Sequence, residues 1–253
     1  MSFSAEYLKH LCQKYPQLNL NNPELLESNL GQNLISPLTI DLPSNVLNQA
    51  QDIIKILYKM RTNDTYITQF KNIIQKHGLK NPRNHSILMS YDFHYHEGQL
   101  KLIEVNTNAA FLILGYELYN FTKKNLPYSH FKIEDLIANI QNELSLQKKE
   151  IKHPKIGIVD TLPSQQKLYL EFLVYKNFFE IHGFPTEILD IKEVNEKSSF
   201  DFIYNRSTDF YLEEPDSQPL KIQFLNETLC LSPNPFEYLL LADKSRLTDW
   251  SNP

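Results

Sequence analysis

The chain has 253 residues, of which 42% are hydrophobic and 22% charged, with a formal net charge of −5 at pH 7. These values are ordinary for a globular protein of one large or two smaller domains, and the negative charge gives no electrostatic reason to expect a nucleic-acid partner. The longest uncharged apolar stretch, residues 109–116, is too short to span a bilayer, and the first residues lack the order of a secretory signal, so we expect a cytoplasmic protein with no membrane partner.

The positions of the cysteines and glycines exclude several kinds of binding site. Cys12 and Cys230 are the two cysteines, and their separation forms no metal-binding spacing. The six glycines are dispersed, with no two within ten residues of each other. A loop that wraps phosphates needs clustered glycines, so the sequence excludes both the Walker A and the Rossmann dinucleotide fingerprints.

The first part of the chain is predicted to be mainly helical, with one hairpin. Residues 15–44 have no sustained periodicity, with one helical turn near 23–28. Apolar residues at helical spacing and alternation of period two predict the other elements. The helices cover 3–14, 45–60, 64–76, 109–124 and 132–147, and the strands cover 85–96 and 99–106. We take residues 1–150 as one region, with the hairpin at 85–108.

From residue 154 the pattern changes to strands and helices of an α/β domain. The strands are predicted at 155–160, 186–190, 200–205 and 228–232, and a long helix at 164–182. This alternation favours a small parallel sheet with Rossmann-like winding. The predicted fold class is therefore α/β, α+β overall, with a Rossmann-like domain at 151–235 and the start of another portion at 236–253.

The hairpin separates its residues by parity, because side chains on a strand alternate between faces. The odd positions of the first strand are largely aromatic, whereas its even positions include Asp92, His94 and His96. On the second strand the even positions include Glu104 and Asn106. One face of the hairpin is therefore apolar, and the other concentrates acids, amides and imidazoles.

The register decides whether the carboxylates share a face. A two-residue turn would pair His96 with Gln99 and place Asp92 and Glu104 on opposite faces. A three-residue loop with a left-handed glycine would pair Tyr95 with Gln99 and make the carboxylates diagonal neighbours, about 7–8 Å apart at Cα. We expect the three-residue loop, because it brings the aromatic residues of one strand beside the aliphatic residues of the other.

Two carboxylates and an amide oxygen suit a hard cation such as Mg²⁺. The magnesium ligands would be Asp92, Glu104 and Asn106. Two other interpretations stay open at this point: an ordinary solvated hairpin face, and a transition-metal site formed by Asp92, His94 and His96.

Residues 91–93 together with 103–108 resemble the metal-binding hairpin of the ATP-grasp carboxylate–amine ligases. The extended pattern is most similar to the circularly permuted type related to glutathionylspermidine synthase. The resemblance implies that Asp92, Glu104 and Asn106 hold Mg²⁺ against ATP. It also implies a carboxylate substrate activated as an acyl phosphate, and an amine substrate that displaces the phosphate.

Two later segments resemble the same family. Residues 241–247 are similar to the Asp-Lys segment that opens its nucleotide-binding portion, which implies that Lys244 reaches the ATP phosphates. Residues 204–210 resemble a family segment at the end of a sheet strand, where Arg206 would bind a substrate carboxylate bidentately as a catalytic-site residue. Each has a plainer interpretation, a solvated lysine on a helix and a surface arginine in a loop.

The family continues with a second phosphate-binding lysine and a glycine-rich loop, neither of which follows here. We therefore expect a truncated or split ligase that is inactive alone and is completed by a partner chain or by a homo-oligomer. One alternative is a non-catalytic binding or interaction module descended from such a ligase. The other is a metal-dependent hydrolase that uses Asp92, His94 and His96.

Overall fold

The computed structural model describes residues 3–16, 18, 35–125 and 131–251. The helical turn predicted near 23–28 lies outside these residues. The N-terminal helices are α1 (Phe3–Lys14), α2 (Ser44–Met60), α3 (Asp64–Gln69) and α4 (Lys71–Lys76).

The single helix predicted over 64–76 is wrong, because the chain breaks at Phe70 into α3 and α4. Phe70 is buried at this break, with its ring centroid 4.9 Å from that of Tyr66. The guanidinium carbon of Arg246 lies 3.9 Å from the Phe70 ring centroid on the other side. Packing of this ring therefore outweighs the local preference for a continuous helix.

The antiparallel hairpin consists of β1 (Ser90–His96) and β2 (Gln99–Asn106). The side chain of Gln49 on α2 donates to Gly98 O at 2.8 Å and accepts from the Leu100 amide at 3.2 Å, which ties the hairpin turn to that helix. Two helices follow the hairpin, α5 (Leu112–Thr122) and α6 (Asp135–Leu146).

The second part contains a four-stranded parallel sheet of order β4-β3-β5-β6, which confirms the α/β fold class. Its elements in chain order are β3 (Ile156–Asp160), α7 (Tyr169–Ile181), β4 (Thr186–Asp190), β5 (Phe202–Asn205), α8 (Gln218–Leu225) and β6 (Cys230–Ser232). The chain adds β4 on one side of β3 and then returns to add β5 on the other. The carboxyl ends of β3 and β5 therefore flank the point where the winding reverses, which is where open α/β sheets bind ligands.

The C-terminal segment packs against the N-terminal helices and the hairpin. It contains α9 (Pro235–Glu237), a π-helical turn (Tyr238–Ala242) and α10 (Ser245–Ser251). A buried ion pair joins Glu237 Oε1 to Nη1 of Arg61, the residue that follows α2, at 2.7 Å, and the Tyr66 hydroxyl donates to Leu240 O at 2.6 Å. Apolar residues of α2–α4, the hairpin and this segment form one buried cluster.

Within the described ranges, no helix has both the length and the apolar character that crossing a membrane requires. Cys12 and Cys230 are free thiols.

Candidate functional site

The hairpin turn differs from the expected three-residue loop. His96 pairs directly with Gln99, so the turn contains only Glu97 and Gly98, with φ of 49° and 83°. Positive φ at both central residues is the property of two-residue hairpin turns whose twist matches that of the strands. The predicted pairing of Tyr95 with Gln99 is therefore wrong, and Tyr95 pairs with Leu100.

A β-bulge then changes the register between Phe93 and Asp92. Phe93 pairs with Leu102, whereas Asp92 pairs with Glu104, so Ile103 is an extra residue on β2. Residues directly opposed in an antiparallel ladder share a face, with Cα atoms about 4.5–5.5 Å apart. Asp92 and Glu104 therefore lie on one face by direct opposition, and the predicted diagonal arrangement is wrong. Bulges commonly re-aim side chains beside functional sites.

Asn106 lies on the same face, because it pairs with Ser90 two positions along the ladder. Asp92 is exposed, Asn106 is half-buried, and the Glu104 side chain is 35% exposed. Two carboxylates and an amide thus project from neighbouring ladder positions, a donor set that suits a hard cation.

This face of the hairpin opens on a cleft of about 710 Å³. The opposite wall is the carboxyl edge of the parallel sheet at the winding reversal, together with the segment that follows β3. The cleft lining includes Ser90, Asp92, Asn106, Asp160, Arg206 and Thr208. Three of the five residues singled out from the sequence, Asp92, Asn106 and Arg206, therefore line a single cleft.

The other two approach each other at the hairpin. Lys244 Nζ lies 4.0 Å from Glu104 Oε1, and the lysine side chain is 80% exposed. The preceding residue, Asp243, accepts from the Tyr211 hydroxyl at 2.6 Å and from the Ser245 amide at 2.9 Å. Although burial acts to raise the pKa of Asp243, hydrogen bonds from Ser245 and Tyr211 hold it below its ordinary value. Asp243 thus anchors the segment that carries the lysine.

Arg206 follows β5 and is only 8% exposed, so the surface interpretation of this residue is wrong. Its amide donates to Val159 O at 2.7 Å, which continues the sheet by one position. Its Nη1 donates to the carbonyl oxygens of Asn108 and Ala109, in the loop that follows β2. Arg206 therefore links the sheet edge to the end of the strand that carries Glu104.

Two acids near Arg206 were not singled out from the sequence. Asp160, the last residue of β3, is 8% exposed, and burial raises its pKa to about 6. Glu171 on α7 is fully buried; burial raises its pKa, while Arg206 and the amides of Phe111 and Leu112 act to lower it. The position of Asp160 at the carboxyl end of a buried strand was the available signal, whereas nothing local distinguishes Glu171.

The transition-metal alternative gains no support. His94 pairs with Lys101 near the exposed end of the hairpin, and the ring centroids of His94 and His96 are 6.2 Å apart. In the part of the chain that the structure describes, no three or more histidine, cysteine, aspartate or glutamate side chains are grouped to hold a metal ion.

Comparison with protein-family models gives no match for this chain, and comparison with curated proteins gives no significant match.

Proposed function

We propose that the cleft is the metal- and substrate-binding part of an ATP-grasp-type carboxylate–amine ligase. The observation that carries the proposal is the convergence of Asp92, Asn106 and Arg206 on one cleft, although Arg206 is separated from Asn106 by 100 positions in the chain. Its location at the reversal of the winding adds a reason that does not depend on resemblance, because open parallel sheets bind their ligands there.

The side chains fit the proposed chemistry. Asp92, Glu104 and Asn106 would hold Mg²⁺, which would neutralise charge on the ATP phosphates. Lys244, whose exposed ammonium lies 4.0 Å from Glu104 Oε1, would contact a phosphate held by that metal ion. ATP would supply the phosphoryl group that activates the carboxylate substrate, with ADP as the leaving group, and the amine substrate would then form the amide bond with release of phosphate and a proton. In this scheme the protein acts by positioning and by charge neutralisation.

A nucleotide clamp is a separate requirement. The described residues contain no glycine-rich loop that would cover a triphosphate. We propose that a partner chain or a second copy of this chain supplies that cover, and that the described cleft alone supports little or no turnover.

The contact between Lys244 and Glu104 favours a second candidate function. The Lys244 ammonium partly neutralises the negative charge of Glu104, a proposed metal-binding carboxylate, in the absence of any nucleotide. A protein that keeps this contact would act as a binding module for anionic ligands rather than as a ligase.

Calorimetric titration with Mg²⁺ alone and with Mg²⁺·ATP tests the proposal. We expect wild type to bind both, and Asp92→Asn and Glu104→Ala to lose most of the binding to each. Glu97→Ala is the matched control, because Glu97 is an exposed acid at the hairpin turn and not on the metal face. Equal binding by wild type and all three variants, or none by wild type, would contradict the proposal. Binding of Mg²⁺·ATP that persists in Asp92→Asn and Glu104→Ala while binding of Mg²⁺ alone is lost would favour the binding module.

A further inference from the structure

Asp160 and Arg206 occupy neighbouring positions at the carboxyl edge of the sheet. Val159 of β3 pairs with Asn205 of β5, and the Arg206 amide donates to Val159 O at 2.7 Å. Asp160 and Arg206 are the next residues along these two parallel strands. Both are 8% exposed, and both line the cleft.

These opposite charges do not form an ion pair. In the described part of the chain, no nitrogen of Arg206 lies within 4.0 Å of a carboxylate oxygen of Asp160. Glu171, the other buried acid near Arg206, also has no carboxylate oxygen within 4.0 Å of a nitrogen of Arg206. Both side chains have hydrogen-bond partners, but among the described residues neither has an oppositely charged group in direct contact, so a ligand that supplied both charges would be bound favourably.

Each side chain has atoms left for a ligand. Asp160 Oδ1 accepts from the Thr161 amide at 2.7 Å, whereas its Oδ2 accepts no hydrogen bond from the described residues. Arg206 uses Nη1 for the carbonyl oxygens of Asn108 and Ala109 and for the Tyr204 hydroxyl, and its Nη2 donates to none of the described residues. The Nη2 of a charged guanidinium can donate a charge-assisted hydrogen bond to a carboxylate, whereas the Arg206 Nε is covered by the surrounding protein.

We propose that this end of the cleft binds the zwitterionic head of an amino acid, with its ammonium group on Asp160 and its carboxylate on Arg206. The Arg206 guanidinium would repel a metal ion at this position, and the Asp160 carboxylate would repel a simple anion. A zwitterion would be attracted by both side chains. This proposal rests on the proposed function, because the bound amino acid would be the amine substrate of the ligase.

The test is a titration of the ¹⁵N-labelled full chain, followed by two-dimensional NMR, with each of the twenty common amino acids as free zwitterions. Mg²⁺ and ATP are left out, so that failure here is distinguishable from failure of the metal-site titration. The amides of Thr161 and Ser207 are the local reporters, because one donates to Asp160 and the other follows Arg206. We expect at least one amino acid to shift both reporters with saturation, and ethylammonium chloride or sodium acetate to bind far more weakly.

Asp160→Asn removes the negative charge but keeps an oxygen for the Thr161 amide. A charge-assisted hydrogen bond lost in this way should weaken amino-acid binding by about tenfold to a hundredfold. Glu187→Gln is the matched control, because Glu187 is an exposed acid of the neighbouring strand β4, does not line the cleft and already lies 2.8 Å from Lys155 Nζ. Absence of saturable shifts for all twenty amino acids would overturn the proposal, and so would equal affinity in wild type and Asp160→Asn.

Discussion

Asp92 and Glu104 face each other directly across the hairpin because Ile103 is an extra residue between the two registers. The two-residue turn alone would have placed these carboxylates on opposite faces, and the bulge reverses that outcome. Two like charges at directly opposed positions repel each other unless a cation lies between them. The hairpin is therefore arranged in a way that a bound metal ion would stabilise.

Neutralising one of these acids should raise the free energy of unfolding slightly and at the same time remove the stabilisation by Mg²⁺. We expect Asp92→Asn to unfold at a slightly higher urea concentration than wild type without Mg²⁺, by about 0.2–1 kcal/mol in the free energy of unfolding. Because Asp92 is exposed, the lower end of that range is the better expectation. Adding Mg²⁺ should stabilise wild type and leave the variant unchanged, whereas Glu97→Gln should respond as wild type does. A variant that is less stable than wild type without metal would contradict the repulsion argument.

Lys244 should have opposite effects on the metal and on the nucleotide. Its ammonium lies 4.0 Å from Glu104 Oε1, so it competes with a cation for that carboxylate. We expect Lys244→Ala to bind Mg²⁺ alone more tightly and Mg²⁺·ATP more weakly than wild type, as measured by calorimetry. The stability should change by no more than about 0.5 kcal/mol, since contacts of an exposed lysine contribute little. Lys101→Ala, at an exposed position of the same hairpin, should leave both affinities unchanged.

Much of the fold follows from local pattern. The predicted bounds of β2 and β4 are those observed. For β2 the signal is the alternation of polar and apolar residues along the hairpin. Helix α8, in contrast, has no clear apolar stripe in its eight residues and was not predicted. The bulge was also missed, because Leu102 and Ile103 are both apolar and their sequence does not show that one of them is an extra residue.

The candidate site was only partly accessible from sequence. Parity placed Glu104 and Asn106 on one face of β2, but it joined Asp92 to them only through a register that is wrong. The carboxyl end of β5 drew attention to Arg206. The carbonyl partners of Arg206 lie 97 and 98 positions away, so no local pattern reveals them. Asp160 needed the order of the sheet, because its proximity to Arg206 depends on β5 being placed beside β3.

Glu143 and His85 should affect stability with opposite pH dependence. Glu143 Oε2 accepts from the His85 amide at 2.6 Å and from Asn84 Nδ2 at 3.1 Å. Burial raises the pKa of Glu143 to about 7, and burial together with Arg61 lowers the pKa of His85 to about 4. The folded protein therefore holds more protons than the unfolded chain at Glu143, and fewer at His85.

The two pH dependences can be separated by substitution. The contribution of Glu143 is fully present below its ordinary pKa of 4.5 and is lost as the pH rises through about 7. The contribution of His85 is present above its ordinary value of 6.5 and is lost as the pH falls towards 4. In Glu143→Gln only the histidine effect remains, so its stability relative to wild type should fall as the pH falls from 6.5 to 4.5, by at most about 1.4 kcal/mol per pH unit. Urea unfolding at several pH values checks this, with the exposed Glu134→Gln as control; a variant whose profile is parallel to that of wild type would contradict it.

A side chain at Gly157, in the middle of β3, should clash with the neighbouring Ile203. A Cβ built at Gly157 would lie 2.6 Å from Ile203 Cδ1, inside a fully buried strand pair. We expect Gly157→Ala to destabilise the protein by about 1–3 kcal/mol, the usual cost of overpacking a core. Ile203→Val deletes the clashing methyl group and should itself cost about 0.5–1.5 kcal/mol.

The double variant Gly157→Ala/Ile203→Val discriminates between a clash and a backbone requirement. If the methyl group is the obstacle, the double variant should be more stable than the sum of the two single losses predicts, with a coupling of about 0.5–3 kcal/mol. Thermal or urea unfolding of all four proteins measures this coupling. Strictly additive losses would mean that Gly157 is required for its backbone and not for the space beside Ile203.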